Sequence, residues 1–152
     1  MENLGVANAL VRRMHFVFAL LFGCCILLPS CGSSTKSVDL AKQNVDQFHS
    51  QLDSEEFTGL YAASDEKLRH TTSKPDFIKL LDAVHRKLGN VQQSTLRNRR
   101  VAWSSGEGAT VTLVYETKFA QGTGTEEFVW HIRDNTATLY GYHINSNELI
   151  TK

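Results

Sequence analysis

The sequence predicts an α+β domain, with N-terminal helices packed on one face of a bent four-stranded antiparallel sheet. Two observations carry this. Between Val38 and Leu88 the apolar residues recur at three- and four-residue steps, the period of amphipathic helices. From Val91 onward the chain is instead rich in Thr, Val, Tyr and Phe, alternates apolar with polar, and is broken at regular intervals by Gly, Asp and Asn. Helices first and hairpin-linked strands afterwards leave no room for parallel crossovers, so the layers segregate. With 152 residues, the chain has length for one such domain.

The opening segment stands apart from that domain. Arg12 and Arg13 precede an apolar run from Met14 to Leu28, interrupted by His15 and Gly23, which ends in Leu28-Pro29-Ser30-Cys31. A positive start, an apolar stretch and small residues at its end are the pattern of a secretory signal peptide, here residues 1–30. Leu28, Ser30 and Cys31 resemble the lipobox of bacterial lipoproteins: an aliphatic residue, a variable one, a small one, then the acylated cysteine. Pro29 is an uncommon choice at the variable position. An ordinary cleaved signal with a chance cysteine and an uncleaved anchor helix are the other readings. The resemblance implies a lipid on Cys31, attachment to a bacterial membrane on its extracytoplasmic side, and loss of Cys24 and Cys25 with the signal. Cys31 then remains as the single cysteine, which excludes a disulfide framework. In a cell with two membranes, Gly32 after the cysteine resembles sorting to the periplasmic face of the outer membrane.

Starting from 16 basic and 16 acidic residues, loss of Arg12, Arg13 and Glu2 leaves 14 and 15, a net charge of −1. A near-neutral chain does not favour nucleic acid, whose binding needs a basic stripe. The Gly/Ser-containing stretch 31–37 reads as a flexible tether carrying the lipidated cysteine, with the domain occupying 38–152.

Within the domain, Val38, Ala41, Val45, Phe48 and Leu52 make one apolar stripe of a first helix. Phe57, Leu60 and Tyr61 continue as a short second helix, and 64–72 reads as a turn or loose helical segment. Ser73-Lys74-Pro75-Asp76 is a helix start, with a serine cap, a proline in the first turn and an acidic residue reaching back. Phe77, Leu80, Leu81, Val84 and Leu88 line one face; His85, Arg86 and Lys87 suit the negative helix end, and Gly89 stops it. The strands follow as 91–104, 110–119, 126–133 and 136–145, with turns at 105–108, 121–124 and Asp134-Asn135. A two-residue turn at Asp134-Asn135 sets Trp130 opposite Leu139, Phe128 opposite Gly141 and Glu126 opposite His143.

This order of elements resembles the cone-like fold of nuclear transport factor two. More narrowly, Arg86-Lys87-Leu88-Gly89, the strand positions Leu113, Tyr115, Thr117 and Phe119, Glu126-Glu127-Phe128 and Gly141-Tyr142-His143-Ile144 resemble a bacterial domain-of-unknown-function family of small lipoproteins with that fold. The likeness runs from about Asp39 to Ile144. Thr138-Leu139-Tyr140 stands where such families often carry a tryptophan. Since the family has no assigned catalytic residues, the resemblance implies none here.

A pocket between sheet and helices would draw on Tyr61, Tyr115, Glu126, Tyr142 and His143, with His143 as a base oriented by Glu126. Cross-strand pairs of this kind are more often surface ion pairs worth about 0.2–1 kcal/mol. The six histidines show no HxH, HxxxH or HExxH spacing, so no metal site is expected. Arg97, Arg99 and Arg100 with Lys87 offer a basic edge for an anionic partner or lipid headgroups; since Arg97 and Arg99 share one strand face, they read first as a solvated face. No cofactor is expected. The sequence therefore points to a membrane-anchored lipoprotein acting as a non-catalytic ligand- or protein-binding module. The alternatives are a small isomerase or dehydratase using the concave sheet, and a homodimer paired sheet to sheet.

Overall fold

The structure, a computed structural model, describes residues 32–151. Cys31 and residues 1–30, expected as a signal peptide, lie outside the described residues. Five helices and four strands follow in the order α1 (Gly32–Asp53), α2 (Phe57–Ala63), α3 (Glu66–Thr71), α4 (Lys74–Leu88), β1 (Val91–Ser104), β2 (Gly108–Phe119), β3 (Gly122–Arg133), β4 (Thr136–Asn145) and α5 (Asn147–Thr151). The strands form one open antiparallel meander, β1-β2-β3-β4. Helix α1 touches all four strands, so its stripe of Val38, Ala41, Val45, Phe48 and Leu52 is buried on the inner face. Facing it are Val111, Leu113 and Phe119 of β2, Phe128 and Trp130 of β3, and Leu139 and Tyr142 of β4.

The caps explain where the helices begin and end. Ser73 accepts from the backbone N–H of Asp76, and Gly89, at φ 75°, closes α4 in a conformation that suits glycine. The segment 64–72 folds as α3 because Asp65 accepts from the Lys67 N–H, while the Asp65 N–H donates to the Leu139 carbonyl of β4 at 2.8 Å.

Several expectations are corrected. The stretch 32–37, expected as tether, is helical, and Ser37 is buried in the first turns of α1. Leu80, at 36% exposure, sits off the buried stripe of α4. Gly122 and Gly124 belong to β3, not to the turn, since Phe119 pairs with Gly122 and leaves Ala120-Gln121 as the connection. Gly122 sits close to its neighbours: a Cβ there would lie 2.9 Å from the Glu148 side chain and 3.2 Å from Leu88, so both would have to give way.

The last hairpin holds the most consequential correction. Asp134 and Asn135 both have positive φ, 51° and 58°, as a tight hairpin turn requires, and Trp130 pairs with Leu139. Beyond that pair the register shifts, so that Phe128 faces Tyr142, not Gly141, and Glu126 faces Ile144, not His143. Tyr140 is the extra residue. A bulge there lets Leu139 and Tyr142, three positions apart, both point inward, which a regular strand forbids.

Candidate functional site

The slipped register breaks the expected Glu126–His143 pair. His143 is exposed and lies opposite Glu127. Glu126 instead points into the core with 0% exposure. Strand alternation puts it on the face of Phe128, Trp130 and Ile132, and three groups converge on its carboxyl. His49 Nε2 of α1 lies 2.8 Å from Oε2, the Thr117 hydroxyl donates to the same oxygen, and the Tyr142 hydroxyl donates to Oε1 at 2.8 Å. A carboxyl in an apolar core is costly unless both oxygens are hydrogen-bonded, and here both are. Burial, and then the neighbouring Glu126, raise Tyr142 well above the ordinary phenol value, so its O–H stays in place to donate.

Of the five expected pocket residues, the structure brings Glu126 and Tyr142 into contact. Tyr115 lies directly across from Glu126 in register and packs edge-on against Phe128, with ring centroids 6.0 Å apart. Its phenol is pushed up to about 12, by burial first and then by Asp46. Tyr61 is elsewhere: its hydroxyl donates to the Thr72 carbonyl at 3.1 Å and its ring packs near Phe77. The sequence reading missed His49 and Thr117. Both were within reach of pattern: His49 is four residues from Val45 and three from Leu52, and Thr117 falls between the inward Tyr115 and Phe119.

The opposite face of the sheet carries a second polar cluster. His131 Nδ1 lies 2.9 Å from Asp65 Oδ2, His131 Nε2 lies 2.7 Å from the Glu107 carbonyl, and the Thr138 hydroxyl donates to Asp65 Oδ2 at 3.1 Å. The Asp65 hydrogen bond, and then the Glu107 carbonyl, raise the His131 imidazole above its ordinary value. Burial works to raise the Asp65 carboxyl, but hydrogen bonds from Lys67 N–H, His131 and Thr138 outweigh it and hold the carboxyl low. Arg133 adds guanidinium contacts to the Glu107 carbonyl at 3.4 Å. The cluster ties the β1–β2 turn, β3, β4 and the start of α3 together. Open polar grooves flank it, one of about 460 Å³ beside Glu66, Asp134 and Thr136 and one of about 210 Å³ beside Lys67, Ser104 and Tyr140.

On the helix-covered face, a space of about 60 Å³ lies beside Phe48, Leu60 and Trp130, and a larger one lies at the end bearing Trp103. Trp103 pairs with Ala109 and so shares the inner face, yet it is 57% exposed. Between Trp103 and the first turns of α1 runs a groove of about 430 Å³, lined by Lys36, Ser37, Asp39, Leu40, Gln43, Ile132 and Asn135. Among the described residues no group of three or more His, Cys, Asp and Glu side chains is placed to hold a metal ion, and no helix is long and apolar enough to cross a membrane.

No curated protein matches the chain. A family model described as a protein of unknown function, DUF4019, matches residues 44–142 and takes in β2, β3 and all four groups of the Glu126 cluster. The chain belongs to the DUF4019 family.

Proposed function

We propose that this protein is a bacterial lipoprotein, acylated on Cys31 and held on the extracytoplasmic side of a membrane, where it binds a ligand or protein partner without transforming it. In a two-membrane cell the Gly32 that follows the cysteine favours the periplasmic face of the outer membrane. The lipid attachment rests on the Leu28-Pro29-Ser30-Cys31 sequence after the apolar run. We also read the domain as a cone of the nuclear-transport-factor-two type; its support is the long N-terminal helix lying across an antiparallel sheet whose outer strands carry bulges.

One observation supports the binding role over catalysis. The carboxyl best suited to acid–base work, Glu126, has no exposed surface, and its oxygens are occupied by His49, Thr117 and Tyr142. A substrate would have to displace α1 to reach it. The enzyme reading requires an open cavity at a buried carboxylate. Glu126 supplies the buried carboxyl, but side chains close it in. Open surface lies instead in the Trp103 groove and around His131.

The test is complementation of a strain lacking the protein. Glu126→Gln and Tyr142→Phe, expressed where they fold, retain function on the binding reading, whereas Cys31→Ser loses it. A folded Glu126→Gln protein that reaches the membrane in normal amount yet is inactive would overturn the non-catalytic reading.

A further inference from the structure

We propose that the end of the domain bearing Trp103 rests on the lipid bilayer, with the indole at headgroup level. This inference deepens the lipoprotein reading and depends on it. Trp103 is a large, exposed side chain beside Leu40 and Ile132, an arrangement that costs burial in water and suits an interface that is apolar on one side and wet on the other.

The chain itself supplies the occupant. Lys36 lines the groove, and Gly32 lies four helical residues earlier, about 6 Å along the axis. Cys31 is the next residue back. A lipid there fixes the start of α1 close to the bilayer, so the groove meets the membrane at a high effective concentration and needs little affinity of its own.

Charge at this end is mixed: Lys36 lines the groove, exposed Asp39 lines it too, and exposed Glu107 and Asp134 lie in the adjoining turns, so the indole carries the placement. Among the described residues, none of the ion pairs involves Lys36, Arg99 or Arg100. Arg99 shares the strand face of Trp103, four residues away, or about 14 Å. The acidic residue in the groove, Asp39, is set 3.9 Å from Lys42. Arg97, by contrast, is spent on Glu116 across the strand pair.

The test uses the mature protein purified from cell membranes, checked by mass for acyl groups on Cys31, and placed in phosphatidylglycerol-containing vesicles with or without lipids brominated on the acyl chain near the headgroup. Bromine quenches tryptophan on contact. Trp103 is one of two tryptophans and Trp130 is buried, so brominated lipid removes up to about half of the emission. The emission left in Trp103→Phe is unaffected. Because Trp103 is exposed, this variant keeps the fold, which its near-ultraviolet dichroism checks. Acylated protein with equal emission in both vesicles overturns the docking and leaves the lipoprotein reading intact. A chain with no acyl mass on Cys31 overturns both. A dimer in detergent that Trp103→Phe dissociates assigns the groove to a second copy and overturns the membrane as occupant.

Discussion

Glu126 carries the sharpest residue-scale consequences, because three groups from two layers converge on one carboxyl. Glu126→Ala leaves His49, Thr117 and Tyr142 without their shared partner in a buried site. Its expected cost is about 3–5 kcal/mol in urea unfolding, the range for breaking a buried polar pair by removing one partner. Tyr142→Phe removes one donor and keeps the ring, so about 1–2 kcal/mol is expected. A Glu126→Ala protein as stable as the wild type would contradict this view of the cluster. On the other face, His131 and Asp65 set a pH window. The raised His131 contributes stability that is complete below its ordinary value of 6.5 and is lost as pH rises through its higher folded value. The lowered Asp65 contributes stability present above 3.8 and lost as pH falls through its lower folded value. The melting temperature is therefore greatest between the two. Replacing His131 with Asn flattens the alkaline side of the profile; an unchanged slope there would remove the imidazole from the account.

At the scale of elements, the β1–β2 and β3–β4 turns are held by backbone geometry. Gly108 has φ 93°, and a Cβ there would lie 2.3 Å from the Ile132 carbonyl oxygen. Gly108→Ala therefore forces the β2–β3 pairing apart, with an expected loss of more than about 2 kcal/mol and a shifted β2–β3 register visible in amide exchange. Asp134→Val places a branched side chain at φ 51°, at an expected cost of about 1–2 kcal/mol. Most elements were legible in the sequence. The α1 stripe, the Ser73 cap, the alternation of β2 and the Asp134-Asn135 turn all follow local rules, and each stands within a residue or two of where those rules put it. The start of β3 and the bulge in β4 share one physical character: each involves a contact from elsewhere in the chain. Gly122-Thr123-Gly124 reads as a turn locally but pairs with Thr117 to Phe119 as strand, with Gly122 set close to Leu88 of α4 and Glu148 of α5. The Tyr140 bulge coincides with the Asp65 N–H on the Leu139 carbonyl and with Lys67 lying 5.4 Å above the Tyr140 ring. That bulge also separated Glu126 from His143, so the pocket was half legible: Glu126 and Tyr142 follow from alternation once the bulge is counted, whereas the partnership of His49 needs the helix docked.

For the whole molecule, the arrangement divides the labour between a closed interior and an open end. The core polar groups hold α1 to the sheet, and the exposed Trp103 lies where that helix begins. On the proposed lipoprotein reading, attachment and domain would form one device: the residues next after Cys31 are helix, so a lipid on that cysteine would control where the domain sits. Cys31→Ser should move the protein from the membrane to the soluble fraction. The measurement that tests the central claim most directly is the intact mass of the protein extracted from the membranes of its own cell. The account predicts a chain that begins at Cys31 and carries acyl groups on that residue. An unacylated chain, or one that begins at another residue, would contradict it.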